Sequence, residues 1–307
     1  MSADLVEVPL ALASSLTRNY GEAGRDWLDA APRVVAEHLD RWELRLDGAP
    51  MHGVVALVLP VTMADGTPAA LKLQIDDPDH PGEGAALRTW DGHGAVRLLR
   101  EDERAGTLLL ERLDSGRDLR SVRDDIEAVQ ITAQLLVRLN AYPAPPGPRR
   151  LSEIAAGMLD YAPDAAKLLA DPTEARLVLD WAAAVREVAG ECGDRLLHWD
   201  LHYENVLAGD REEWLAIDPK PLAGDPAFEL MPALHNRWDE VLAGDDPHQA
   251  VLRRFDAMVE VMSLDRDRAV AWTLGRVLQN SLWTVEDGER TLEAPQVLIA
   301  EALTGSR

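Results

Sequence analysis

The sequence predicts an α+β protein in which a small antiparallel sheet precedes a larger, mostly helical region. Two patterns carry that expectation. Between Trp42 and Ile75, alternating or short continuous apolar runs are separated by turn residues, as hairpin-linked strands require. From about Ser121 onward apolar residues return every three or four positions, which gives a helix one buried face. A third feature marks the chemistry: His198, Asp200, His202 and Asn205 crowd between two short apolar runs.

At 307 residues and 47 % hydrophobic, the chain can bury a full core as one large domain or as two lobes. Its formal charge of −23 repels nucleic acid and anionic membrane and favours a polycationic small molecule, although acidity also serves solubility alone. The single cysteine, Cys192, rules out an internal disulfide or a cysteine zinc site and reads as a small structural residue. Asp4 and Glu7 stand where a signal peptide needs positive charge, and no run approaches the roughly 18 apolar residues of a membrane span. A cytoplasmic monomer without membrane or nucleic-acid partners is expected. Lysine occurs only at positions 72, 167 and 220, so basic surface positions are evidently filled by arginine.

Residues 1 to 40 carry helical spacing in two pieces, the second from about Trp27 to Leu39 across Pro32. Trp42, Leu44 and Leu46 then alternate with charged residues, Asp47 to Gly53 makes a turn, and Val54 to Val61 is apolar. A second turn, Ala64 to Thr67, leads into Ala69 to Ile75, completing a three-stranded meander. Glu83 opens a helical stretch to Trp90. Val96 to Leu99 and Thr107 to Leu110 look like two further strands.

Val122, Ile126, Val129, Ala133 and Leu136 define a helix from about Ser121 to Ala141, ended by the proline-rich loop at 143–148. Another runs from Thr173, a plausible N-cap, to about Gly190. No repeat or low-complexity tract appears. The end of the chain, to about Leu303, is helical and contains Trp238, Trp272 and Trp283.

The central stretch reads Leu196-Leu197-His198-Trp199-Asp200-Leu201-His202-Tyr203-Glu204-Asn205, and an isolated acid follows in Ile217-Asp218-Pro219. The segment between, with Gly209-Asp210 at its middle, predicts a hairpin whose arms bring Asn205 and Asp218 together at one end. An amide oxygen and a carboxylate oxygen are hard ligands, suited to Mg²⁺ held jointly with a substrate phosphate. Asp200 is then placed to accept a proton from an attacking hydroxyl.

The spacing H-x-D-x-x-x-x-N with a downstream Asp is that of a kinase catalytic loop and its second metal-binding Asp. Written HWDLHYEN and IDPK, it resembles the aminoglycoside phosphotransferase family, whose fold is bilobal and protein-kinase-like. The resemblance covers most of the chain. Trp90-Asp91-Gly92-His93-Gly94-Ala95-Val96-Arg97-Leu98-Leu99 and Leu108-Leu109-Leu110-Glu111-Arg112-Leu113 look like the branch of streptomycin 6-phosphotransferases and hydroxyurea-resistance kinases.

This resemblance implies a nucleotide-binding lobe over residues 1–111 and a catalytic, acceptor-binding lobe over 112–307. It implies ATP and Mg²⁺, with Lys72 on the α- and β-phosphates, Glu83 fixing that lysine, and Glu111 to Leu113 forming the hinge beside adenine. The Asp47–Gly53 turn would cover the phosphates, though it is not G-x-G-x-x-G and Pro50 removes a donor. Taken alone, Lys72 fits an edge-strand lysine with its stem along apolar neighbours, and Glu83 fits an acid favoured by a helix dipole.

The resemblance assigns Asp200 as the base and Asn205 and Asp218 as metal ligands. It implies an aminoglycoside acceptor, most simply streptomycin, whose guanidinium groups would face carboxylates such as Asp225, Glu229 and Glu286. His202 is a further candidate for facing the acceptor. Asn280, Trp283, Glu286 and Asp287 form an aromatic and acidic cluster suited to such a cation. Equally, the tryptophans fit a core and the acids a solvated helix end. The short segment after Asp218, without Ala-Pro-Glu, favours a small-molecule acceptor over a protein, and kinases of choline, homoserine or amino sugars share the same parts. A rival reading puts His198, Asp200 and His202 on one face of a strand as the ligands of a metal-dependent hydrolase. It leaves Lys72, Asn205 and Asp218 without roles.

Overall fold

The computed structural model describes residues 6–75 and 81–305, which divide into two compact units. The first comprises Met1–Asp79 with Ala95–Leu113, the second His80–Gly94 with Asp114–Arg307.

In the first unit, α1 (Leu10–Arg41) runs in two helical pieces, as expected, joined across the non-helical Gly21, whose φ of 55° and ψ of −116° are open to glycine and costly for other residues. Pro32 lies within its second half. Strands β1 (Arg45–Leu46), β2 (Met51–His52), β3 (Ala56–Thr62), β4 (Pro68–Gln74), β5 (Leu98–Asp102) and β6 (Thr107–Glu111) form one sheet in the order β1-β3-β4-β6-β5, with β2 also on β3. All its pairings are antiparallel, with short turns joining β3 to β4 and β5 to β6, while β4 pairs with β6 across the longer stretch from residue 75 to 106. Leu12, Leu16 and Val35 of the helix pack with Leu57, Leu59, Leu71 and Leu109 of the sheet, forming the core of this unit.

Lys72 lies opposite Val58 on one side and Leu108 on the other, in the middle of the sheet and only 5 % exposed. The edge-strand reading therefore does not hold. Arg112, just past β6, donates to the carbonyls of Ala69 (2.8 Å) and Val61 (2.7 Å) and to the Asp47 carboxylate (3.1 Å). It ties the Asp47 turn to the strands beneath it.

The second unit opens with α2 (Glu83–Trp90). Strand β7 (Asp114–Asp118) follows, then α3 (Asp125–Leu139), β8 (Arg149–Arg150), α4 (Leu151–Leu168) and α5 (Pro172–Val188). Thr173 is not the cap of α5. Asp171 takes that place, accepting the Thr173 amide at 2.7 Å, and Pro172 starts the helix because its missing N–H needs no partner there.

Strands β9 (Arg195–Leu197), β10 (Val206–Ala208), β11 (Trp214–Ala216) and β12 (Leu222–Gly224) carry the central motif. Helices α6 (Met231–Leu234), α7 (Trp238–Ala243), α8 (Pro247–Met262), α9 (Arg266–Glu286) and α10 (Ala294–Thr304) complete the unit. The long helices pack as α4 on α5, α5 on α9 and α3 on α8, burying Trp272 edge-on against Phe228. Cys192 is a buried free thiol.

Two small sheets hold the motif in place: β11-β10-β7, and β8-β12-β9. The predicted hairpin is present, with Val206 opposite Ala216. β7, sequence Asp-Ser-Gly-Arg-Asp, has no apolar alternation to betray it and forms by pairing with β10. In β12, Gly224 leaves no room for a side chain, because a Cβ there would lie 2.9 Å from both Leu151 Cβ and Leu197 Cδ1. Gly224→Val is expected to destabilise the protein by about 1–3 kcal/mol through overpacking, read as a lower thermal midpoint in circular dichroism.

Candidate active site

Strand β9 delivers the chain to His198, whose fully buried ring stacks on Trp90 at 6.1 Å and 14°. Its Nε2 lies 3.0 Å from the Ile217 carbonyl and its Nδ1 lies 3.4 Å from the Asp200 amide. Those partners require the proton on Nε2 and a lone pair on Nδ1. Burial pushes the pKa of this imidazole down to about 4, against the raising field of Asp200. His198 is thus neutral near pH 7 and braces the loop.

Trp199 turns into the left-handed region at φ 66°, a strained conformation for a bulky residue. Its amide donates to Glu229 Oε1 at 2.5 Å, and Asn140 Nδ2 donates to Glu229 Oε2 at 2.9 Å. The turn throws Asp200 off the line of the strand and leaves it 21 % exposed, with Lys220 Nζ 2.8 Å from its Oδ2. Lys220 is itself held by a bond from its amide to the His198 carbonyl at 3.0 Å.

Asn205 Nδ2 donates to the Asp200 carbonyl at 2.9 Å, which leaves Oδ1 as the open end of the amide. Its own carbonyl accepts the Ile217 amide at 2.9 Å, extending the hairpin by one bond beyond β10 and β11. Asp218, next in the chain, adopts φ 56°. The hairpin register sets Asn205 opposite Ile217 and so brings Asp218 to the same end of the hairpin, and an amide and a carboxylate oxygen are the donor types a hard cation takes. The Trp90 to Gly94 segment supports the same hairpin, since Gly94 accepts the Ala216 amide at 2.9 Å and Gly92 accepts from Arg211 at 2.7 Å.

Asp200 and His202 open onto a cleft of about 420 Å³ in the second unit, lined also by Arg120, Glu204, Arg237, Arg276 and Asn280. Glu204, Arg276 and Lys220 were not singled out from the sequence as site residues. Glu204 sits within the quoted motif, and Arg276, Asn280 and Trp283 follow helical spacing on α9, so both signals were present.

Several expected acceptor contacts lie elsewhere. Asp225 caps a short turn by accepting the Ala227 amide at 2.9 Å, and it pairs with Arg268 at 2.6 Å. Glu229 is 2 % exposed and committed to Trp199 and Asn140. Glu286 is exposed at the end of α9 and does not line the cleft. Trp283 is 41 % exposed, yet the guanidinium of Arg276 already lies over its ring at 5.3 Å.

In the remaining positions, Glu83 begins α2 and is buried, unlike a solvated helix-end acid. Glu111 closes β6, with its Oε1 accepting the Arg97 amide at 2.8 Å, and Leu113 ends the first unit half-buried. The hydrolase geometry is not realised. The strand stops at Leu197, both His198 nitrogens are occupied, and no group of three or more His, Cys, Asp or Glu side chains among the described residues is arranged to hold a metal.

Residues 41–288 match the family model described as aminoglycoside/hydroxyurea antibiotic resistance kinase. The chain belongs to that family. It is 55 % identical to a streptomycin 6-kinase of Streptomyces glaucescens over 98 % of both chains. It is 56 % identical to a hydroxyurea phosphotransferase of Kitasatospora aureofaciens over 98 % of this chain and 87 % of that one. Among solved structures it resembles macrolide 2'-phosphotransferase MphH from Brachybacterium faecium, with a TM-score of 0.56 and 16 % identity over 88 % of this chain and 97 % of that chain, which shows the shared kinase-like fold. Membership makes the chain a small-molecule phosphotransferase. Among the described residues no helix is long and apolar enough to cross a membrane.

The buried Glu229 gives the site a pH signature. Burial raises its pKa to about 7, against the lowering effect of the Trp199 amide and Asn140. Because the folded value lies above the unfolded one, the fold's advantage from this carboxyl is complete below about pH 4.5 and is lost as pH rises through about 7. Wild type is therefore expected to lose about 2–3 kcal/mol relative to Glu229→Gln between those limits, measured by urea denaturation at a series of pH values.

Proposed function

We propose that the protein transfers the γ-phosphoryl group of ATP to a hydroxyl of streptomycin or a close relative, inactivating the antibiotic in the cytoplasm. The observation that carries this reading is Asp200. It is a half-sheltered carboxylate facing the cleft, with Lys220 on its Oδ2, the Asn205 amide on its backbone carbonyl and Asp218 at the adjoining hairpin end. Family membership and the 55 % identical streptomycin 6-kinase support the acceptor.

In this reading the sheet unit binds the nucleotide. Lys72 holds the α- and β-phosphates, and the backbone of Glu111 to Leu113 meets adenine. Asn205 and Asp218 hold Mg²⁺, which neutralises charge on the phosphate oxygens when bound. Asp200 orients the acceptor hydroxyl and takes its proton late, since a loose transition state needs positioning more than a strong base. His202 faces the acceptor from the cleft wall. Glu204 is the acid available to an acceptor cation, because its pair with Arg120 at 2.5 Å is largely exposed and weakly held.

The near-equal identity to a hydroxyurea phosphotransferase supports a second acceptor on the same machinery. A coupled ADP-release assay with Mg-ATP against streptomycin, hydroxyurea, deoxystreptamine aminoglycosides, choline and homoserine separates them. Streptomycin-dependent turnover, with a product heavier by one phosphate in mass spectrometry, is the expected result. Turnover with another acceptor alone would overturn the substrate and keep the mechanism.

Asp200→Asn is expected to lower kcat by about 10²–10⁴-fold while ATP binding stays within about twofold in calorimetry. Parallel loss of both would count against its role as base. Asn205→Ala is expected to raise the Mg²⁺ concentration needed for half-maximal rate by about tenfold, the order of one lost ligand, and to lower the thermal midpoint through the roughly 1 kcal/mol of the lost bond to the Asp200 carbonyl.

A further inference from the structure

Arg276, on α9, is 8 % exposed yet lines the cleft beside Asp200. Its guanidinium carbon lies 5.2 Å from the Trp199 ring and 5.3 Å from the Trp283 ring. The two indoles hold the plane of the group, but stacking engages only its faces. The N–H donors point outward from its edges.

Those edges are under-used. Nη1 donates to Gln279 Oε1 at 2.6 Å, and Nε is fully buried without a hydrogen-bond partner, so the Nη end is what meets a cleft ligand. Among the described residues no carboxylate lies within 4.0 Å of Arg276. The other arginines of the cleft differ. Arg120 pairs with Asp118 at 2.6 Å and Glu204 at 2.5 Å, while Arg237 donates to the Arg120 carbonyl at 2.9 Å and lies 4.0 Å from Asp125. A buried charge normally has a paired counter-charge. Burial moves the Arg276 pKa only down to about 10, against the raising fields of Asp200 and Glu229, so the group stays cationic near neutrality. A desolvated guanidinium fork that feels those carboxylates without touching either, seated among fixed aromatic rings, keeps donors for an oxyanion.

We propose that Arg276 is an anion site for the phosphate monoester end of the product, which extends the reading of this cleft as the acceptor site. In the transfer a bond forms from the acceptor oxygen to phosphorus, and the bond from phosphorus to the ADP oxygen breaks. The hydroxyl proton passes to the Asp200 carboxylate. A neutral hydroxyl thus becomes a dianionic ester in the same cleft. Arg276 favours that charge and repels an acceptor's own guanidinium, so it works on the phosphorylated state rather than on substrate capture.

The test follows tryptophan emission, since Trp199 and Trp283 flank the group, while inorganic phosphate is titrated against a chloride control of equal ionic strength. Wild type is expected to show a saturable change. Arg276→Met should bind phosphate at least about tenfold more weakly, and Arg276→Lys, which keeps the charge and guards against a misfolded first variant, should fall between. With streptomycin, Arg276→Met should lose kcat while the acceptor KM stays within about threefold. Equal phosphate affinity in all three proteins, or no phosphate-dependent change in wild type, overturns the proposal. If wild type does not phosphorylate streptomycin but phosphate binding still depends on Arg276, the acceptor assignment falls and the anion site stands.

Discussion

The catalytic loop depends on one constraint, the left-handed turn at Trp199. A tryptophan gains nothing from φ 66°, and the conformation persists because a buried carboxyl receives its amide. Everything downstream takes its position from that turn. It follows directly on β9, which ends at Leu197, leaves His198 in the core and brings Asp200 out to the cleft. With His198 on the Ile217 carbonyl and Asn205 on the Asp200 carbonyl, the loop is cross-linked to the hairpin at both ends. Glu229 is therefore a structural acid, although its Gly-Asp-Pro neighbourhood looked like substrate-facing surface.

Global and local charge diverge in this protein. The formal charge of −23 makes an attractive field for a cation at long range, yet the cleft itself contains Arg120, Arg237 and Arg276 and its acids are paired. A field of that kind raises the encounter rate with a cationic molecule without determining which group of it meets Asp200. Close in, the arginines repel cationic groups over much of the wall, and Glu204 is the exposed acid open to one. Net charge and cleft charge thus serve different steps.

Much of this was legible in the sequence. Period-two blocks and turn residues point to β3, β4 and the β10–β11 hairpin, and kinase spacing singles out Asp200, Asn205 and Asp218, which the fold gathers around that hairpin end. What was not legible depends on long-range pairing. A lone lysine in a strand cannot reveal whether its strand is central, and only the pairing of β4 with both β3 and β6 buries Lys72. β7 carries no apolar signal and exists because β10 offers it an edge. Asp225 and Glu229 were found in the right segment but with the wrong orientation, since the number of residues in a turn does not say which side its carboxylates face.

Trp283 shows the same limit from the other direction. An aromatic and acidic cluster on a helix does suit a guanidinium, and the ring does carry one, but it belongs to Arg276 one helical face-repeat earlier. The pair occupies the surface a ligand cation would have used. Two relatives of nearly equal identity, one a streptomycin 6-kinase and the other a hydroxyurea phosphotransferase, make the point general. In the proposed reading, the residues that would position a hydroxyl and receive its proton take their places from the Trp199 turn and the hairpin, which a whole family can share. Acceptor choice would then rest on side chains around the cleft such as Glu204, Asn280 and Arg276.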